Sequence, residues 1–378
     1  MYKILDKLVI IEFTAFIAGP LVGQIFYQLG ADVIRIDTSN SPIDKDRFPI
    51  DENDNSYYWA ELNKGKKLLN INYRNKSDLK NIIQLIQKHY SDKTIIIVTN
   101  ISLPSHLSYK ALSKIFNDIY YLEIYGSSRN KEVDYTINAQ TGIPYINGDY
   151  NNPQNNMLPT WDLTTGCIGA VSILSLLTNN KNKDRYIKLS LMDTCLWTLS
   201  NLGFLGEHYK NKESRKSSNN YVYGTFGNKF NTKDNIFVFI ICLTTRQWDN
   251  LIESLKLKSQ INSLEKKLSL NFKLQKHLYY AREELYKIIQ KKINDKDYAE
   301  ISRILEKNNI LFSKYASACE FVNSNPNCNL DNPILSMIKH KFMKPYISAD
   351  IPFQLRNQKR LSNKSFNAIE LDKYIKSL

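Results

Sequence analysis

Residues 8–37 read LVIIEFTAFIAGPLVGQIFYQLGADVIRID. Leu8–Phe13 is an apolar run of strand length, too short for a buried helix. Ala18–Gly30 follows as a helix opened by Gly19-Pro20, since proline suits a first helical turn. Asp32–Asp37 is a second strand. Strand, helix, strand in that order requires two parallel strands joined by a right-handed crossover, and so an α/β fold with a parallel sheet.

The pattern continues downstream. Ser77 reads as the cap of a helix whose Leu79, Ile82, Ile83 and Ile86 share one face. Thr94–Val98 and Ile119–Ile124 are strands, with a helix over Tyr109–Phe116 between them. A helix from about Thr164 to Leu177 and a strand over Tyr186–Leu191 complete a Rossmann-like half. Residues 209–220, YKNKESRKSSNN, form a polar connection. A strand at Ile236–Cys242 and helices over roughly 245–308 follow, the last capped by Asp295 with Ile301, Ile304 and Leu305 on one face. Pro326, Pro333, Pro345 and Pro352 mark a loop-rich end. The expected organisation is 1–205 as the first part of a large Rossmann-like domain, 220–320 as a smaller α+β domain, and 325–378 as a return to the large domain.

Composition narrows the function. The 378 residues carry 51 Lys+Arg against 37 Asp+Glu, a net charge of +14, and 43% are hydrophobic. That hydrophobic share excludes wholesale disorder. No uninterrupted apolar run reaches the ~18–20 residues of a membrane helix, and Met1–Lys7 lacks the pattern of a signal peptide. Five scattered cysteines, at 167, 195, 242, 319 and 328, point to reduced thiols and a cytoplasmic protein. The lysines are spread along the chain without a nucleic-acid signature, so polynucleotide and membrane partners are not expected. A small phosphate-bearing ligand fits better, with Lys64-Gly65-Lys66-Lys67 as the tightest early cluster. The histidines lack metal-ligand spacing, so no metal is expected. No G-x-S-x-G elbow marks a serine hydrolase.

Three motifs admit two readings each. Gly19-Pro20-Leu21-Val22-Gly23 matches no nucleotide fingerprint, and its glycines suffice as close strand-to-helix contacts. Lys66-Lys67 is either a pair of phosphate-holding cations or a solvated turn. Asp162, just ahead of the apolar helix, is explained by a capping role alone. A carboxylate at a helix start is also well placed for nucleophilic work beside backbone N–H groups.

Taken together, Ala18-Gly19-Pro20, Leu29–Ile34, Leu62-Asn63-Lys64-Gly65-Lys66-Lys67, Asp162 before Gly166 and Ala170, and Leu189-Ser190-Leu191-Met192-Asp193 resemble the class III CoA-transferase family. In this order and spacing over the first ~195 residues they are specific. Further segments, Tyr58–Lys66, Glu132–Asn138, Leu158–Asp162, Asn220–Gly227 and Asp331-Asn332-Pro333, are similar to members that move CoA between the two carboxyl groups of 2-methylfumarate. The resemblance implies Asp162 as a nucleophile forming an aspartyl anhydride and then an aspartyl-CoA thioester. It implies an acyl-CoA substrate with no permanently bound cofactor, phosphate contacts from Lys66, Lys67 and Arg35, and backbone oxyanion donors near Gly224 and Gly227. Asp134 falls at an acidic family position, where it either orients substrate or the Asp162 loop or makes a structural hydrogen bond. An interlocked homodimer is implied as well. Alternatives are transfer to a separate acid and a CoA-binding protein without catalysis.

The chain departs from the family at several points. Val133 replaces the base histidine of the racemases, and Ile17 replaces a glutamine of the formyl-CoA transferases. No glycine-rich loop occurs in the middle domain. Thr38 lacks a CoA-contacting arginine, and Arg360-Leu361-Ser362-Asn363-Lys364 replaces the usual C-terminal Leu-Gly-Glu-His-Thr segment.

Overall fold

The computed structural model of the chain describes residues 2–38, 42–116, 118–128, 131–178, 184–212, 214–358, 360–361 and 367–369. The side chains of Ser77 and Leu79, and the divergent residues 362–364, lie outside the described residues. Two compact units emerge.

The first unit comprises Met1–Thr141, Asn155–Glu213 and Asn329–Leu378. Its chain runs β1 (Leu8–Phe13), α1 (Ala18–Gln28), β2 (Asp32–Asp37), α2 (Tyr57–Asn63), β3 (Lys67–Asn70), α3 (Lys76–His89), β4 (Thr94–Thr99), α4 (Tyr109–Leu112), β5 (Ile119–Tyr125) and α5 (Asp134–Gln140). After α6 (Ile143–Asn147), which belongs to the second unit, come α7 (Thr160–Thr178), β6 (Tyr186–Ser190), α8 (Leu191–Asn201) and α9 (Phe204–Asn211). Among the described residues, every strand pairing in this sheet is parallel. Setting aside the late strand beside β3, the order is β3-β2-β1-β4-β5-β6, that of a doubly wound sheet.

The apolar runs explain this arrangement. All six residues of β1 and five of six in β4 are buried, as expected for central parallel strands covered on both faces. Val9, Ile11, Ile34, Ile97 and Tyr121 share a core with Ile82 and Ile86 of α3. On the other face, α1 approaches β1 closely at Gly23. A methyl carbon placed there would stand 1.9 Å from Glu12 Oε2. Because that carboxylate is fixed by a buried partner, Gly23→Ala is expected to destabilise by about 1–3 kcal/mol. Urea unfolding of the variant checks this, and an unchanged midpoint would contradict it.

Helix α7 corrects the expected start at Thr164. It begins four residues earlier, so Asp162 is its third residue instead of its cap. Its length and apolarity also meet the requirement for crossing a membrane, contrary to the sequence reading. Thr, Ser and Gly interrupt its apolar residues, so it contains no unbroken apolar run of that length. Gly166 brings α7 against Leu21 of α1, which places it as a packed helix of this unit.

The second unit comprises Gly142–Gln154 and Ser214–Cys328. Strands β7 (Phe226–Asn231), β8 (Phe237–Cys242) and β9 (Leu311–Lys314) form an antiparallel sheet. Helices α10 (Thr245–Ser254), α11 (Lys258–Leu268), α12 (Gln275–Tyr280), α13 (Arg282–Ile293) and α14 (Tyr298–Lys307) follow β8, and α15 (Ala318–Ser324) follows β9. Phe230, Ile240, Leu251, Leu285 and Leu305 lie in its core. The excursion 142–154 was not legible in the sequence. It is held by the Ser218 N–H, which donates to the Ile146 carbonyl at 2.9 Å.

Back in the first unit, β10 (Leu335–Ile338) and β11 (Tyr346–Ala349) form an antiparallel pair. The last strand, β12 (Asn367–Ile369), adds in parallel to the outer edge of β3.

Candidate active site

A doubly wound sheet has a crevice where the chain reverses direction, at the carboxyl ends of the two central strands. Here those strands are β1 and β4. Asn100, just after β4, holds the loop after β1 from both sides. Its Oδ1 accepts from the Ala15 N–H at 2.9 Å, and its Nδ2 donates to the Ala15 carbonyl at 2.7 Å. The next residue, Phe16, has a left-handed backbone with φ 62°. A non-glycine residue needs support to stay there. Asp44 supplies it, Oδ2 accepting from the Phe16 N–H at 2.8 Å.

Asp44 is itself anchored from below. Its Oδ1 accepts from Arg35 Nη2 at 2.9 Å. The same guanidinium donates through Nε to Asp37 Oδ2 at 3.0 Å and through Nη1 to Asn63 Oδ1 at 3.1 Å. Arg35 is wholly buried, and its two carboxylates hold its acidity even weaker than usual against the opposing effect of burial. A second buried pair lies alongside: Lys66 Nζ donates to Glu12 Oε1 at 2.6 Å and to the Pro20 carbonyl at 2.8 Å. Burial pushes the Glu12 carboxyl up and the Lys66 ammonium down to about 8, each against the pull of its partner.

These placements correct two expectations. Lys66 and Arg35 were to meet phosphates, but both side chains have zero exposure and internal carboxylate partners. Sequence shows that a cation is present and says nothing about which way it points. Lys67 differs: its partly exposed ammonium lies 3.2 Å from Asp32, which also pairs with Lys93 at 2.8 Å.

Asp162 sits in the first turn of α7. Pro159 precedes that helix and offers no side-chain acceptor for the free N–H groups of the first turn. Asp134, at the start of α5, provides one. Its Oδ2 accepts from the Trp161 N–H at 2.6 Å and the Asp162 N–H at 3.0 Å. Asp134 is 2% exposed, whereas Asp162 is half-buried. Burial, then the charge of Asp134, pushes the Asp162 carboxyl up to about 7, while Arg47 pulls it partly back. The Tyr58 hydroxyl, also buried, has no hydrogen-bond partner among the described residues and feels the charges of Arg47, Asp44 and Asp162.

Arg47, Phe16 and Tyr58 were missed by the sequence reading. The Arg47 guanidinium lies 5.3 Å from the centre of the Phe16 ring and 5.4 Å from that of Tyr58. The available signal was its position three residues after Asp44 in the connection following β2. Gly224 and Gly227 fall in the second unit. Gly224 has φ 78°, and a methyl carbon at Gly227 would stand 2.8 Å from the Val222 side chain. Among the described residues, no three His, Cys, Asp or Glu side chains gather to hold a metal ion.

A carboxylate with raised basicity, backed by a second carboxylate and faced by a cation, suits nucleophilic attack on an activated acyl group. It must be ionised to attack. The kcat/KM for an acyl thioester is therefore expected to fall about tenfold per pH unit below about 7. Asp134→Asn removes a charge that raises Asp162, so the acid limb should move to lower pH. An unmoved limb in the pH–rate profile would count against this coupling.

The chain belongs to CoA-transferase family III, whose model matches residues 5–364. It is 31% identical over 367 residues to 2-methylfumaryl-CoA isomerase of Chloroflexus aurantiacus, spanning 96% of this chain and 90% of that one. A succinyl-CoA:mesaconate CoA-transferase of Haloarcula marismortui is 23% identical over 211 residues, 50% of this chain and 52% of that one. Two solved structures share the fold. A CAIB/BAIF family protein from Brucella suis gives a TM-score of 0.76 at 18% identity, covering 100% of this chain and 99% of that one. Rv3272 of Mycobacterium tuberculosis gives 0.77 at 15%, covering 98% of each.

Proposed function

We propose that this chain is an intramolecular CoA transferase that moves CoA between the two carboxyl groups of 2-methylfumarate. The observation that carries the reading is Asp162, a half-buried carboxyl raised to about 7 in a helix turn fixed by Asp134. The 31% identity with 2-methylfumaryl-CoA isomerase supports the substrate.

Asp162 attacks the thioester carbonyl, giving a mixed anhydride and the CoA thiolate. The thiolate attacks the aspartyl carbonyl, so Asp162 becomes the CoA thioester and the diacid leaves as a carboxylate. The diacid's other carboxylate then attacks the aspartyl thioester, re-forming an anhydride on its far end and releasing the thiolate. Attack of the thiolate on the substrate carbonyl yields the isomer and restores Asp162. Anhydride and thioester are both activated, so each step retains the acyl group's reactivity. Keeping the diacid bound replaces a second encounter with an intramolecular one.

Backbone N–H groups near Gly224 and Gly227 as oxyanion donors belong to the same proposal. So do a cytoplasmic setting and a homodimer. Exposed Trp197, Leu202 and Tyr209 on and after α8 support the homodimer.

The test is incubation with 2-methylfumaryl-CoA carrying CoA on the 1-carboxyl, without added acid. The 4-CoA isomer should form. Turnover strictly dependent on an added acid would favour transfer between molecules, the reaction named for the Haloarcula relative.

A further inference from the structure

Arg47 has no place in the transfer steps above, yet its setting is specific. Its guanidinium carbon lies over two aromatic rings, 5.3 Å from the centre of Phe16 and 5.4 Å from that of Tyr58. Each ring is itself held. Phe16 is kept in its left-handed conformation by Asp44, and Tyr58 lies on α2, whose first turn is capped by Ser56 through the Trp59 N–H at 3.0 Å. Attraction to ring faces leaves a guanidinium's N–H groups able to pair with an anion. Among the described residues, no carboxylate forms an ion pair with Arg47, unlike Arg35 below it, which has two. The residue as a whole is exposed. It is close enough to Asp162 to act on its charge, and both lie in the same unit.

A planar guanidinium lying over two rings, with no carboxylate partner among the described residues and near enough to Asp162 to act on its charge, is a receptor for a second carboxylate, because its fork matches the two oxygens. We infer that Arg47 grips the carboxylate of the substrate that is not bonded to CoA, making the site selective for thioesters of dicarboxylic acids. This rests on the proposed transferase reading. It adds a symmetry to that reaction: after CoA reaches Asp162 the diacid turns end for end, and the newly freed carboxylate takes the place of the old one on Arg47. Bond making and breaking remain as written above.

The test compares 2-methylfumaryl-CoA with tiglyl-CoA, which carries a methyl group in place of the second carboxylate. The readout is formation of the CoA thioester on Asp162, trapped by acid quench and detected by mass spectrometry, a process that needs only attack by Asp162 and return of the released thiolate. In Arg47→Met the ratio of the second-order rate constant for the diacid thioester to that for tiglyl-CoA should fall at least about 30-fold, the scale of a lost charge-assisted hydrogen-bonded contact. Arg47→Lys should restore part of it. Binding of free 2-methylfumarate, measured by calorimetry, should weaken in parallel. An unchanged ratio, or CoA binding that falls as much as 2-methylfumarate binding, overturns the inference. If the wild type forms no CoA thioester on Asp162 from either substrate, the transferase reading falls and the inference with it; if the thioester forms and the Arg47→Met ratio is unchanged, the inference alone falls.

Discussion

Asp162→Asn is expected to lower turnover at least about 10⁴-fold, because an amide cannot form the acyl intermediates on which the transfer depends. The substitution preserves shape, and the contacts that fix the turn run from Asp134 to the backbone N–H groups of Trp161 and Asp162, not to the lost carboxylate. The fold should therefore persist. Stability should in fact rise at alkaline pH. A carboxyl raised to about 7 binds a proton in the folded chain at pH values where the unfolded chain has released it. Folding stability consequently falls as pH climbs from the ordinary carboxylate range, about 3.9, through 7, and the whole cost is present above 7. Asparagine does not ionise and avoids it. Thermal midpoints of variant and wild type should differ most near pH 8 and converge toward pH 4. A variant that still accumulates a protein-bound CoA thioester would remove Asp162 from the mechanism.

The second large effect is on stability. Lys66→Met leaves Glu12 in the interior without its cation, and removing one member of a buried pair costs about 3–5 kcal/mol. Glu12 cannot turn away easily, since its side chain is fully buried against Gly23 of α1. The double variant Glu12→Gln with Lys66→Met should recover at least half of the loss, because no isolated charge remains. Urea unfolding of the single and double variants measures both quantities. Equal midpoints for Lys66→Met and wild type would show that the pair contributes nothing the interior cannot replace.

Some of this was open to reading from the sequence, and the boundary is physical. Leu8–Phe13 and Thr94–Thr99 are buried on both faces, so their apolar runs announced central parallel strands. Gly19 and Gly23 were legible as close packing for the same local reason. The start of α7 was not, because its first turn is stabilised by Asp134, 28 residues earlier, and no local signal marks such a cap. Charges were the least legible. Lys66, Lys67, Arg35 and Arg47 look alike along the chain. Folding sends Lys66 and Arg35 to buried carboxylates and Lys67 to the surface, and lays Arg47 over the rings of Tyr58 and a left-handed Phe16.

The edge strand β12 has a consequence for how the protein is made. Six strands of the sheet are complete once Ser190 has been synthesised, but β3 has no outer neighbour until Asn367–Ile369 arrives. At about 5–20 residues per second that interval lasts roughly 9–35 s. During it the nascent chain carries the raw hydrogen-bonding margin of β3, open to the same margin on another ribosome's product.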